Sequence, residues 1–135
     1  MLSRAFFKII MRNFFYIGLA AAMGAWSRWG IGILLNAMHP VIPLGTLTAN
    51  LVGGYFMGIS MGAFELFNDL SPDLKIIINI GFLGGLTTFS AFTAEVFQLL
   101  QKNEFVASLT LIALHVIGSL LMAYLGWLSI SLIKQ

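Results

Sequence analysis

Gly81-Phe82-Leu83-Gly84-Gly85-Leu86-Thr87-Thr88-Phe89-Ser90-Ala91-Phe92-Thr93 sits in the middle of the third of four long apolar runs. Three glycines fall within its first five residues, and hydroxyl and phenylalanine side chains follow. Paired glycines followed closely by β-branched threonines make poor helix sequence. The stretch Gly84 to Thr88 is therefore expected to unwind. In hydrocarbon an unwound backbone is tolerated only where it is buried in protein or lines a wet cavity. A break at this depth marks function. The other three runs read as unbroken helices.

Outward from that stretch, composition fixes the class. Of 135 residues, 59% are hydrophobic and 9% charged, and the mean hydropathy is +0.96. Soluble domains carry roughly a quarter charged residues. A membrane-crossing helix takes roughly 20 apolar residues, and four such runs leave no room for a soluble catalytic domain. The net charge of +2 comes chiefly from Arg4, Lys8 and Arg12, which suit an anionic membrane surface rather than nucleic acid. With no cysteine, disulfides and thiolate metal sites are excluded. The basic start before an apolar run has the look of a signal peptide, but cleavage would remove the first helix, so it is expected to stay.

In chain order, residues 1 to 12 read as an interfacial lead-in, with Phe6, Phe7, Ile9 and Ile10 among the basic residues. Spans are expected at about 13–36, 44–67, 73–101 and 104–133, forming a single domain. In the first, Gly18, Ala21, Ala22 and Ala25 permit close helix approach. Arg28, between Trp26 and Trp29, is either a snorkelling side chain at an aromatic belt or a charge at the mouth of an anion path. In the second, Gly54, Gly58 and Gly62 leave one face nearly bare, a surface for tight packing. Asn50 and Thr46 lie on that side. Asn50 is either interhelical glue or a donor to an anion. In the fourth, Ser108, His115 and Ser119 share a face, and His115 alone reads as a packing histidine. The ends and the middle loop hold Arg4, Lys8, Arg12, Lys75 and Lys134, against Lys102 and Arg28 opposite, a bias toward cytoplasmic termini.

Enzyme motifs are absent: no span carries paired carboxylates, a two-histidine metal site or a nucleophile turn. Ser90 with His115 as base lacks an oxyanion-hole pattern, and four helices leave little room for a peptide. Polar groups for a small ion are present at depth, namely Asn50, Thr87, Thr88, Ser90, Thr93 and Glu95. Carbonyls freed by unwinding suit a hard cation, and hydroxyl and amide hydrogens suit an anion. The positive edges of Phe89 and Phe92 also suit a small anion.

Three motifs together carry a family likeness: Gly24-Ala25-Trp26-Ser27-Arg28, Gly45-Thr46-Leu47-Thr48-Ala49-Asn50-Leu51-Val52-Gly53, and Gly81 to Phe92. With them the chain resembles the Fluc (CrcB) fluoride channels over its whole length. The resemblance implies an all-α membrane protein of four transmembrane helices, the third broken near its middle, paired as an antiparallel, dual-topology homodimer. It implies two fluoride pores lined by Asn50, Phe89, Phe92, Ser90, Thr46 and Thr48, with Arg28 and Glu95 at the vestibules. It implies a structural sodium ion at the dimer interface, held by main-chain carbonyls of Gly84 and Thr87. The activity implied is passive export of cytoplasmic fluoride across the inner (plasma) membrane, protecting the cell from fluoride, with membrane lipid as the surrounding partner. Ala91 stands where the family often has threonine, and no tyrosine appears early in the fourth span. The alternative is a small proton-coupled multidrug antiporter, also a four-helix dimer. That class needs a membrane-embedded carboxylate, usually in its first helix; this first helix has none, and Glu95 could substitute, but the break would then be unexplained. A purely structural membrane protein would leave the break unexplained.

Overall fold

The computed structural model describes residues 4–134; the first three residues of the expected lead-in, Gln135 and the side chains of Ala5 and Lys134 lie outside that description. The described residues are helical nearly throughout, with no strand among them. Helix α1 runs Arg4–Leu35 as one rod of 32 residues, so the described part of the expected lead-in, residues 4 to 12, is continuous with the first span. At 1.5 Å per residue it reaches about 48 Å, longer than a hydrocarbon core of about 30 Å. Arg12 and Asn13 both bond the Asp73 carboxylate, tying the start of this rod to the start of the third. The turns before Arg12 project past that tie.

Asn36, in a short 3-10 turn after α1, accepts a hydrogen bond from the Gly45 N–H at 2.8 Å and closes the loop into α2, Leu44–Leu66. The Ser71 hydroxyl then caps the third rod by accepting from Leu74 N–H at 3.1 Å, with Pro72 in its first turn. That rod begins as α3, Pro72–Ile76, and widens into seven π-helical residues, Ile77–Leu83. A single turn, α4, Gly84–Leu86, follows. Thr87 (φ −85°, ψ 158°) and Thr88 (φ −151°, ψ 120°) are extended, and the helix resumes as α5, Phe89–Gln101. The break is therefore narrower than the expected Gly84 to Thr88, and the departure from α-geometry starts earlier, at Ile77. After Asn103, whose φ of 60° is of the kind asparagine tolerates, α6 runs Phe105–Ser131.

Three segments, Phe6–Met38, Pro72–Gln101 and Phe105–Ser131, are long and apolar enough to cross a membrane. Helix α2 has comparable length, but Asn50, its hydroxyls and its glycines dilute its hydropathy.

Glycine decides how these rods pack. A Cβ on Gly58 would lie 2.8 Å from the Trp127 nitrogen, and one on Gly54 2.8 Å from the Ser119 carbonyl. From the other side, a Cβ on Gly126 would lie 3.0 Å from the Ile59 nitrogen. The bare face of α2 is thus consumed against α6 within one chain, so it says nothing about a second copy. Close approach of α1 falls on Gly24 and Ala21, not on Gly18, which has nothing within 4 Å. A Cβ on Gly24 would lie 2.7 Å from the Leu86 nitrogen, and one on Gly85 3.0 Å from Ala21. Glycine at 85 serves contact with α1 there. A small apolar core of Phe92, Val96, Leu99 and Leu111 joins α5 to α6.

Candidate functional site

The break has a definite hydrogen-bond pattern. In an unbroken helix Thr88 N–H would go to Gly84 and Ala91 N–H to Thr87. Here Thr88 N–H donates to Asn50 Oδ1 at 2.7 Å, and Ala91 N–H donates to the Thr88 hydroxyl at 3.1 Å. The carbonyls of Gly84 and Thr87 thereby lose their helical donors. Gly85 O, between them, accepts instead from Arg28 Nε at 3.1 Å. Leu83 O takes both the N–H and the hydroxyl of Thr87, at 3.0 and 2.9 Å.

Asn50 holds this geometry from α2. Its Nδ2 donates to Thr88 O at 3.0 Å while its Oδ1 accepts from Thr88 N, so one amide pairs with both polar groups of one peptide residue. Its second Nδ2 hydrogen goes to His115 Nδ1, also at 3.0 Å. The His115 ring stacks on Phe92 with centroids 4.6 Å apart, and Phe92 meets Phe89 edge-on at 5.4 Å.

Two cavities meet at Thr88. One is a groove of about 460 Å³ lined by Asn50, Thr87, Phe89, Phe92, His115 and Ser119, among others. The second, about 410 Å³, is lined by Arg28, Asn36, Thr46 and Ala91 among others, and Thr88 borders both. Thr46, one turn before Asn50, donates its hydroxyl hydrogen to Glu95 Oε1 at 2.5 Å. The other Glu95 oxygen is buried without a protein partner.

The expected site residues thus separate. Asn50, Phe89 and Phe92 converge on the groove, and Thr46 and Arg28 line the second cavity. Glu95 bridges toward a third recess near Lys102 and Glu104. Ser90 is exposed and shares a 3.2 Å hydroxyl contact with Thr88. Phe89 is 77% exposed, its ring uncovered in a single chain. Thr48 lines neither cavity: two residues from both Thr46 and Asn50, it falls on another side of α2. His115 and Ser119 supply the groove's fourth-helix side, a contribution the sequence left without a residue. The shared face of Ser108, His115 and Ser119 was the available signal; nothing in the pattern said that it turns toward Asn50.

Comparison with known proteins supplies the context. The family described as CrcB-like protein, Camphor Resistance (CrcB), matches residues 15–127. A protein of Pseudomonas putida (strain W619) named fluoride-specific ion channel FluC is 49% identical over 117 residues, 87% of this chain and 92% of the relative. A protein of the same name from Aromatoleum aromaticum is 49% identical over 114 residues, covering 84% and 87%. Another from Desulfovibrio desulfuricans is 43% identical over 125 residues, covering 93% and 97%.

Proposed function

The chain belongs to the CrcB family, and from that premise we propose that it is a fluoride-selective passive channel and not an enzyme. It exports cytoplasmic fluoride and so protects the cell. The observation that carries this reading is the pair of cavities meeting at Thr88, where an amide, hydroxyls and phenyl rings surround a break in a membrane helix. Fluoride is small and strongly hydrated, so its path must offer hydrogen donors in place of water. Ser119 offers a hydroxyl on the groove side and Arg28 a guanidinium on the other, while Asn50 and Thr46 line the path with hydrogens that already serve Thr88, His115 and Glu95 and would have to be lent to the ion as it passes. Phe89 and Phe92 line the same groove with their rings. Ser90 adds a hydroxyl beside the break. Arg28 and Glu95 stand at the vestibules. The antiporter reading is not favoured: α1 holds no acidic residue among its described positions.

The working assembly in this reading is an antiparallel, dual-topology homodimer in the plasma membrane, with α2 as the fourth crossing helix. Its support is the exposure of Gly84, Phe89 and Ser90 on either side of the break, a surface that in lipid needs protein over it. Gly84 and Thr87 fit a structural sodium ion by their chemistry: both are hard carbonyl oxygens stripped of helical donors. Two oxygens are too few for a dehydrated cation, so two copies would share it. Bound there, the ion would supply positive charge that pins the two breaks together, while fluoride moves along the side chains of each chain.

The test is efflux from liposomes carrying the purified protein. With valinomycin balancing charge, fluoride-loaded vesicles empty and chloride-loaded vesicles stay full. Comparable chloride release, or fluoride movement that drives protons uphill, refutes the reading.

A further inference from the structure

His115 is 4% exposed, sits in the middle of α6, and meets the break through its hydrogen bond to Asn50 and its stack on Phe92. Its hydrogen bonding fixes its chemistry. The Asn50 amide has one orientation that suits Thr88, with Oδ1 on the N–H and Nδ2 on the carbonyl. Nδ2 is therefore also what faces His115 Nδ1. Because Nδ2 has hydrogens and no lone pair to give, Nδ1 must be the acceptor. The neutral ring then carries its proton on Nε2, and that atom is buried with no protein partner.

Resting on the channel reading above, we propose that His115 is a positioning residue for the fluoride path. Its unprotonated Nδ1 holds the Asn50 amide across the break, and protonation of the ring releases it. Once Nδ1 carries a proton, donor faces donor and the 3.0 Å contact with Asn50 cannot persist. A flip of the amide repairs that contact but sets Nδ2 against Thr88 N–H and Oδ1 against Thr88 O. It mends one bond and breaks two. Acid therefore loosens the Asn50 clamp and disorders the neck between the cavities.

No other charge answers for this behaviour. On α2 the one ionisable carboxylate is Glu65, which accepts from Trp127 Nε1 at 3.0 Å, far along the helix. Tyr55, also on α2, pairs with Ser129. On α5 it is Glu95, engaged with Thr46. Arg28 reaches the break from α1 at Gly85 O. None of these is hydrogen-bonded to His115.

Two measurements decide it, both on the full chain. In the first, ¹⁵N-histidine spectra of the purified protein report the state of each ring nitrogen; the chain has two histidines, and His115→Asn assigns the signals. The expected result is a neutral ring protonated at Nε2, with an Nδ1 signal that moves toward the free value in Asn50→Ala. A proton on Nδ1, or an Nδ1 signal indifferent to Asn50→Ala, overturns the proposal. The second is fluoride efflux followed from about pH 7.5 down to about pH 4.5, corrected for leak through protein-free vesicles. The parent slows roughly tenfold across that range, the scale of one lost hydrogen bond at a limiting step. His115→Asn keeps an acceptor where Nδ1 was; it outpaces His115→Leu and loses the acid slowing. Equal slowing of parent and His115→Asn overturns the proposal. A parent that passes no fluoride at neutral pH instead sinks the channel reading, and the spectra still decide the role of His115.

Discussion

Replacing Asn50 by alanine removes three hydrogen bonds at once, of 2.7, 3.0 and 3.0 Å. The groups left behind fare differently. Thr88 O still accepts the first bond of α5, because the residue at a helix N-cap already serves that role. Thr88 N–H has no helical acceptor to return to, and His115 Nδ1 loses its donor. Leaving a buried polar group unpaired costs about 1–3 kcal/mol. With two such groups and water free to occupy part of the vacated volume, Asn50→Ala should lose roughly 2–4 kcal/mol. The loss falls on the neck between the two cavities, so it should appear twice. Fluoride efflux should fall tenfold or more, since about 1.4 kcal/mol is a decade in rate. The midpoint of thermal unfolding in detergent should also drop. Thr110→Val is the control: its hydroxyl bonds only the Val106 carbonyl of its own helix, at 2.9 Å, on the outer face of α6. An Asn50→Ala protein that conducts and unfolds like the parent refutes the clamp and the pore assignment together.

Other outcomes follow from the same geometry. Phe92→Ile removes the 4.6 Å stack on His115 and the edge contact with Phe89, and should slow fluoride efflux severalfold in the liposome assay; unchanged efflux would make the pair mere filling. Gly58→Ala and Gly126→Ala each push a methyl into the backbone of the facing helix and should destabilise by about 1–3 kcal/mol, whereas Gly18→Ala should leave the unfolding midpoint in place; a stable Gly126→Ala would show that α2 and α6 pack more loosely than described. A cysteine at exposed Asp69, unique because the chain has no other, should label from both sides of sealed cells in roughly equal halves if the dimer is antiparallel. Labelling from one side alone would refute dual topology.

Much of this was legible in the chain. Apolar runs separated by Pro40, Pro43 and Pro72 delimit the rods, and the glycines and threonines of Gly84 to Thr88 locate the break. What the sequence could not supply was which donors compensate it. Asn50 is 38 residues from Thr88 and His115 is 65 from Asn50; helical periodicity places each on a face of its own helix but carries no information on which faces meet. The glycine stripe was visible, but its partner, α6, was not. The widening at Ile77–Leu83 had no signal, since Ile77, Ile78 and Ile80 are as compatible with an α-turn as with a π-turn.

The central claim is that the neck at Thr88 passes fluoride and little else. Its most direct measurement is the reversal potential of the purified protein in a planar bilayer with fluoride on one side and chloride on the other. Current that reverses only at the extreme potential set by fluoride, and does not shift with a proton gradient, is the predicted result. Reversal near the midpoint of the two anions, or displacement by a pH difference across the membrane, would contradict it.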